Sequence, residues 1–265
     1  MTSLENKGMA DKGLADKGWA FRRLHNSDDI FVMPNAWDAG SAKFLEATGF
    51  QAIATTSGGV NWSRGRRDWV LEIPRDEMLD AYGDIAMAVD LPVSVDLENG
   101  YGKEPEAVAE TITGSIARGM VGGGIEDWTA DPAAPLYEIE LAVERIRAAR
   151  AAGDASGIAF TLTGRCEVFC TDLPQAYAQA VDRCNRFVEA GADCVFVPGL
   201  AGCDNIRNFV RDVDAPLNMV AGLAEPRLSV AELADLGVRR ISTGGSLARA
   251  CFGLLKREAE VLART

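Results

Sequence analysis

An apolar, β-branched run in Pro92-Val93-Ser94-Val95-Asp96-Leu97-Glu98 ends in two carboxylates one residue apart, and Asn99-Gly100-Tyr101-Gly102 then turns the chain. Such a run reads as a buried parallel strand whose C-terminal end opens into a loop, where acids can surround a hard cation. The plan recurs about thirty residues on, in Val121-Gly122-Gly123-Gly124-Ile125-Glu126-Asp127. Capping of the following helices would account for either pair alone. Two pairs in register, delivered by adjacent strands to one end of a sheet, favour a Mg2+ site.

Other segments ending at that same mouth carry further candidates. Asp38 and Ser41 in Pro34-Asn-Ala-Trp-Asp-Ala-Gly-Ser read as helix caps. Thr55-Thr56-Ser57-Gly58-Gly59 is small enough for backbone amides to approach a carboxylate or an enolate oxygen. The following loop, Trp62-Ser63-Arg64-Gly65-Arg66-Arg67-Asp68-Trp69, reads equally as a solvated connection or as part of a binding surface. Arg165, in Thr161-Leu-Thr-Gly-Arg, suits two-pronged recognition of a carboxylate or phosphonate, and an ion pair within the acidic rim is the alternative. Val197-Pro198-Gly199 and Asn218 are too generic to judge by spacing.

The elements that must position these residues alternate regularly. Strands are expected at Ile30–Met33, Ala52–Thr55, Val93–Asp96, Gly122–Glu126, Ile158–Thr163, Cys194–Val197, Leu217–Val220 and Arg239–Ser242. Helices are expected at Asp38–Ala47, Arg75–Val89, Pro105–Ala117, Pro135–Ala152, Leu173–Ala190, Asn205–Arg211, Ser229–Leu236 and Ser246–Leu262. Eight such units describe a (β/α)8 barrel of the TIM type, with its active site at the C-terminal ends of the strands. An open doubly wound sheet would usually show a GxGxxG turn after the first strand, and Met33-Pro-Asn-Ala-Trp-Asp is unlike it.

Nearly half of the 265 residues are hydrophobic, enough for one sizeable barrel domain over 21–265. Residues 1–20 are expected to form a flexible lead-in, because Met9-Ala-Asp-Lys-Gly and Leu14-Ala-Asp-Lys-Gly are polar and glycine-punctuated. The only histidine, His25, follows on an N-terminal helix and reads as structural. A net charge of −12 argues against nucleic acid and against an anionic membrane surface. Cys166, Cys170, Cys184, Cys194, Cys203 and Cys251 form no CxxC pair and read as reduced, buried thiols. With no signal peptide and no long apolar run, a cytoplasmic protein is expected.

Together, Asn35-Ala-Trp-Asp-Ala-Gly-Ser, Thr56-Ser-Gly, Asp96-Leu-Glu-Asn-Gly-Tyr-Gly, Ile125-Glu-Asp and Leu162-Thr-Gly-Arg resemble the isocitrate lyase/phosphoenolpyruvate mutase superfamily from about Phe21 to the C-terminus. The resemblance implies a Mg2+-dependent barrel, with Mn2+ as a possible substitute, acting on small anionic 2-oxo or 2-hydroxy acids through an enolate. It implies that Asp96, Glu98 and Glu126 hold the metal, partly through water. Ser57 and Gly58, with Thr55 beside them, match the oxyanion cradle, and Arg165 matches the substrate arginine. Asp68 falls where many members place an acid near the metal. Arg249 resembles a substrate-contacting arginine of the methylisocitrate lyases, and Asn218 is carried as a substrate-binding candidate. Members commonly exchange the last helix between neighbours, which implies a homotetramer built as a dimer of dimers.

The departures narrow the activity. Asp127-Trp-Thr-Ala-Asp-Pro-Ala-Ala-Pro-Leu-Tyr stands where isocitrate and methylisocitrate lyases carry a Cys-Gly-His loop. The Lys- and Asn-containing gating loop of the phosphonate enzymes is absent too. Thr243-Gly244-Gly245 replaces the Asn-Gly-His of members resembling oxaloacetate decarboxylase. The expectation is therefore a C–C lyase or decarboxylase, with a P–C bond enzyme or a non-catalytic oxo-acid-binding barrel as alternatives. Tyr137 or a bound water is then the proton donor. Asp127–Tyr137 is expected to close as a lid, bringing Arg165 and one of Arg64, Arg66 and Arg67 to the far carboxylate.

Overall fold

The computed structural model describes residues 3–222 and 227–264. Nine parallel strands form a nearly closed barrel: β1 (Phe31–Met33), β2 (Asn35–Ala36), β3 (Ile53–Thr55), β4 (Val93–Asp96), β5 (Gly122–Glu126), β6 (Thr161–Arg165), β7 (Cys194–Phe196), β8 (Leu217–Val220) and β9 (Arg240–Ser242). The expected first strand is β1, and a further two-residue strand, β2, follows it beyond Pro34. Pro34 has no N–H to give the ladder, so the strand breaks there, β1 pairing with β9 and β2 with β3. Asn35 stitches this seam. Its Oδ1 accepts from Thr243 N at 2.8 Å and Gly244 N at 2.9 Å, and its own N–H donates to Thr243 Oγ1 at 3.0 Å.

The helices are α1 (Ser3–His25), α2 (Ala39–Ala47), α3 (Ser57–Ser63), α4 (Arg75–Ala88), α5 (Pro105–Ile116), α6 (Ile139–Ala155), α7 (Ala176–Glu189), α8 (Cys203–Asp212), α9 (Val230–Asp235) and α10 (Ser246–Leu262). Asp38 and Ser41 form the reciprocal cap expected at the start of α2. The short helix α3 lies where the sequence reads as loop; Thr56 caps it through Gly59 N, and its length of two turns leaves little periodicity to detect. Pro135 and Leu136 belong to the connection preceding α6, because Leu136 is bridged to Trp128 in antiparallel fashion. Among the described residues no helix is long and apolar enough to cross a membrane.

The N-terminal helix closes the barrel's base. Phe21 is fully buried, and a Cβ on Gly122 would stand 2.6 Å from its ring, so the glycines of β5 make room for this plug. Lys17 Nζ donates to Val89 O, and Arg22 reaches Phe160 O and Asp193. Of the six free cysteines, Cys166, Cys184 and Cys194 are buried as expected. Cys170, Cys203 and Cys251 are exposed, because their elements turn those positions outward.

His25 is structural, as its sequence context implies, and its tautomer follows from its partners. Phe21 O can only accept and Arg240 can only donate, so Nδ1 carries the proton and Nε2 receives Arg240 Nη1, each at 3.0 Å. Burial, then the Arg240 charge, push its pKa down to about 3. Above its unfolded value near 6.5 both states hold a neutral imidazole. Below that, only the unfolded chain takes up the proton, so this residue removes stability from about pH 6.5 down to about 3, at about 1.4 kcal/mol per pH unit. Urea unfolding of His25→Gln should show a flatter loss of stability across this window than the parent; parallel slopes would mean that His25 titrates normally.

Candidate active site

At the C-terminal end of β4 the chain leaves the sheet through Leu97, buried in the core, and enters a turn with positive φ at Glu98 (50°), Gly100 (78°) and Tyr101 (59°). This tight turn carries Asp96 and Glu98 to the barrel mouth. Arg145, fully buried on α6, holds it by donating to the backbone oxygens of Asn99, Gly102 and Lys103. On β5 the register sets Glu126 beside Arg165 of β6. Both face the same mouth.

Arg165 is the hub. Its Nη1 lies 3.1 Å from Glu126 Oε2 and 3.6 Å from Asp96 Oδ1, and its Nε donates to buried Glu167. Asp96 is oriented further by the Ser57 amide and hydroxyl, both donating to Oδ2 at 3.1 and 2.9 Å, while its own N–H donates to Thr55 Oγ1. Asp68 closes over α3, where a Cβ on Gly58 would stand 2.6 Å from its Oδ2. Glycine is needed there for close approach rather than for its φ.

Acid outweighs base. Asp68, Asp96, Glu98 and Glu126 share the lining of a 320 Å³ cavity with Arg165 and Arg249. Burial, then Asp96 and Asp68, push Glu98 up to about 8. Burial holds Glu126 well above the usual carboxylate range although Arg165 pulls it down, and Glu167 and Asp96 add to the rise. Asp68 is raised by burial and by Asp96. Burial lowers Arg165, but Glu126, Glu167 and Asp96 outweigh it and the net shift is upward.

An oxygen-rich, over-acidic pocket is the donor set a hard divalent cation takes. Among the described residues no three acids, cysteines or histidines already converge as a metal cage. The Arg165 guanidinium instead lies between Asp96 and Glu126. A hydrated Mg2+, held by one or two carboxylates and water, does not require such a cage.

The cavity thus gathers Asp68, Ser57, Gly58, Asp96, Glu98, Glu126, Arg165 and Arg249 from the sequence candidates. Thr55 and Asn218 lie below it, in a smaller 90 Å³ space inside the barrel that shares Asp96 and Arg165. There Asn218 Oδ1 accepts from Arg240 Nε and its amide donates to Ser242. Tyr137 does not line the cavity; its ring lies under the Arg145 guanidinium, 4.1 Å from Cζ. The expected arginine of the 64–67 loop is also elsewhere. Arg64 pairs with Glu77 and Arg67 with Glu72 near the surface, and none of the three lines the cavity. The second guanidinium comes from α10, where Arg249 stacks 5.1 Å from the Trp62 ring.

The 127–137 segment is pinned at both ends. Buried Asp127 pairs with Arg183 at 3.0 Å and accepts from Glu167 N at 2.8 Å, and Trp128 bridges Leu136. Only the tip, residues 130–134, is exposed. The sequence offered Trp62 and Trp69 only within a loop that read equally as solvated or binding, and did not single out Glu167, Trp128 or Phe196. The indoles were visible as unusual loop residues, whereas nothing in the sequence marked Glu167.

These carboxylates and the arginine lie at the C-terminal mouth of a parallel barrel, where enzymes of this fold place their active sites. The profile of the family described as phosphoenolpyruvate phosphomutase matches residues 21–263, and the chain belongs to it, within the isocitrate lyase/phosphoenolpyruvate mutase superfamily. A Burkholderia cenocepacia structure, provisionally assigned as a lyase/mutase, superposes with a TM-score of 0.91 at 44% identity, covering 96% of this chain and 90% of that one. A second from the same organism, provisionally a phosphonomutase, gives 0.85 at 36%, covering 92% and 99%. An uncharacterised Mycobacterium tuberculosis protein is 34% identical over 230 residues, 85% of this chain and 81% of the relative. The superfamily also contains 2-methylisocitrate lyase, 2,3-dimethylmalate lyase, oxaloacetate acetylhydrolase and a phosphonopyruvate hydrolase solved with oxalate and Mg2+.

Removing the hub charge should leave buried acids facing one another. Arg165→Met is expected to lower stability by about 3–5 kcal/mol at neutral pH, measured by urea unfolding. The loss should shrink toward acid pH as the carboxylates protonate. A variant as stable as the parent would mean the acids do not depend on this guanidinium.

Proposed function

We propose that this protein is a Mg2+-dependent lyase or decarboxylase that cleaves a C–C bond of a small 2-oxo or 2-hydroxy (di)carboxylate through an enolate. The observation that carries this reading is the convergence of Asp96, Glu98, Glu126 and Arg165 on one cavity with more acid than base. Asp96, Glu98 and Glu126 would hold the cation, directly or through water. Bound there, it would supply a Lewis acid for the substrate's carboxylate and 2-oxygen and offset the charge left by bond cleavage. Arg165 orients the near carboxylate, and Arg249 meets a second one where the substrate has it. The Gly58 amide would face the developing oxyanion, and the Ser57 amide would join it once released from Asp96 Oδ2. Asp68 Oδ2 holds the proton at the cavity wall. Its raised pKa suits that task, and Tyr137, turned under Arg145, is less well placed for it.

The P–C alternative draws on the 36% identical structure provisionally assigned as a phosphonomutase. Against it, among the described residues no lysine lines the cavity to meet a phosphonate dianion. Six free cysteines fit a reducing, cytoplasmic setting.

A second copy of the chain is part of this proposal. On α10 only Ala248 is buried, while Leu254, Leu255, Val261 and Leu262 are 49–73% exposed. One barrel leaves this apolar face uncovered, and helix exchange within a homotetramer would cover it.

Oxaloacetate, 2-methylisocitrate, 2,3-dimethylmalate and phosphonopyruvate, each assayed with Mg2+ for 2-oxo acid and phosphate release, separate the reactions. C–C cleavage of one of the first three is expected. Phosphate release from phosphonopyruvate alone would install the alternative, and oxalate binding without turnover would indicate a binding protein. Asp96→Ala should abolish Mg2+-dependent oxalate binding by calorimetry while its circular dichroism matches the parent. Light scattering at micromolar concentration should give a tetramer mass, reduced by the double variant Leu254→Glu/Leu255→Glu; a monomeric parent would remove the assembly claim.

A further inference from the structure

The floor and the roof of the cavity differ in chemistry. The strand ends supply Asp96, Glu98, Glu126, Arg165, Phe196 and Val220, whereas the loops and α3 supply Trp62, Trp69, Leu71 and Trp128 as a largely hydrocarbon wall, with Arg165 lying 5.3 Å from the Phe196 ring and 5.7 Å from the Trp69 ring. Three of the chain's five tryptophans are spent there. Two come from different loops and meet edge to face, Trp69 against Trp128 with centroids 5.7 Å apart. Trp69 remains 44% exposed. The Trp128 indole N–H is buried and without an acceptor.

The backbone is strained to present this wall. Trp69, Leu71 and Ala130 have φ of 68°, 49° and 66°, a region that side chains other than glycine rarely adopt, and all three line the cavity. Among the described residues Arg249 is the one cavity guanidinium outside any ion pair, and its plane is already stacked on Trp62. A strongly hydrated distal group would lose its water among indoles and find few donors in exchange.

From this we infer that the substrate carries a branched or aromatic hydrocarbon substituent beside the reacting carbon, boxed by Trp62, Trp69 and Trp128. The inference rests on the proposed oxo-acid chemistry and adds the specificity it would have. The cavity volume, 320 Å³, sits at the lower end of the range of about 300–1,000 Å³ for ligand sites, so the substituent is compact.

Oxamates test this by binding rather than turnover, since their planar O–C–C–O head resembles oxalate and their nitrogen substituent projects where a C3 group would. With Mg2+ present, calorimetry should show N-isobutyloxamate binding at least tenfold tighter than N-(2,3-dihydroxypropyl)oxamate. The two have the same charge and the same branch point, the diol being one heavy atom longer. Affinity should rise up to about fourfold per methylene from N-methyl to N-isobutyl. In Trp69→Ala and Trp128→Ala the isobutyl-to-dihydroxypropyl ratio should fall toward one, and Trp128→Phe should restore most of it. Tryptophan emission should shift to the blue with N-isobutyloxamate more than with oxalate. If oxalate binds but the parent's ratio is near one, or the alanine variants keep the full ratio, the hydrocarbon box is wrong and the oxo-acid reading stands. If neither oxalate nor any oxamate binds, both are overturned.

Discussion

The mouth of this barrel depends on one buried guanidinium. Arg165 touches Asp96, Glu126 and Glu167, which come from β4, β5 and the turn after β6. Without it those carboxylates would repel one another in a low-dielectric setting where like charges cannot share space cheaply. With it they are held close, although burial still raises Glu98 and Glu126 above the usual carboxylate range. A cation bound as proposed would favour their ionised forms. The pairing with these acids also makes Arg165 a poor free ligand for substrate until they have another partner.

The surrounding structure exists to keep this arrangement in register. Arg145 grips three backbone carbonyls of the turn that carries Glu98 and stacks on Tyr137, so the turn and the start of α6 share one clamp. Asp127, next to Glu126, is locked by Arg183 and by Glu167 N, so the roof loop leaves the sheet in a defined direction. Asn35 secures the seam between first and last strands, which fixes Gly244 and Gly245 at the cavity edge. Each device uses a side chain to satisfy backbone groups that a sharp turn leaves unpaired.

The opposite end of the barrel repeats the theme without acid. Arg240 is buried with Asn218, Thr163 and neutral His25 as its partners. A guanidinium with only neutral acceptors is costly to bury, and α1 offsets part of that cost by bringing the histidine. The N-terminal helix is thus tied to the barrel by specific polar contacts as well as by Phe21.

What the sequence determined alone is whatever local pattern encodes. Alternating β-branched and amphipathic runs specified a parallel barrel, and acids following apolar runs marked Asp96, Glu98 and Glu126 as strand-end groups, because a strand's end dictates which face of the barrel its last residues reach. The break at Pro34 was also written locally, in a residue that cannot donate to a ladder. Tertiary structure alone decided which candidates meet. Tyr137 and Arg249 lie far apart in sequence, and only packing turned Tyr137 under Arg145 and brought Arg249 to the cavity. The arginines of the 64–67 loop looked alike in sequence, yet acids from neighbouring elements claimed Arg64 and Arg67. Glu167 carries no local signal, since its importance comes from Arg165, whose direction is set by three elements at once. Long-range pairing of charges is a many-body choice made after the chain has folded, and no spacing along the chain records it.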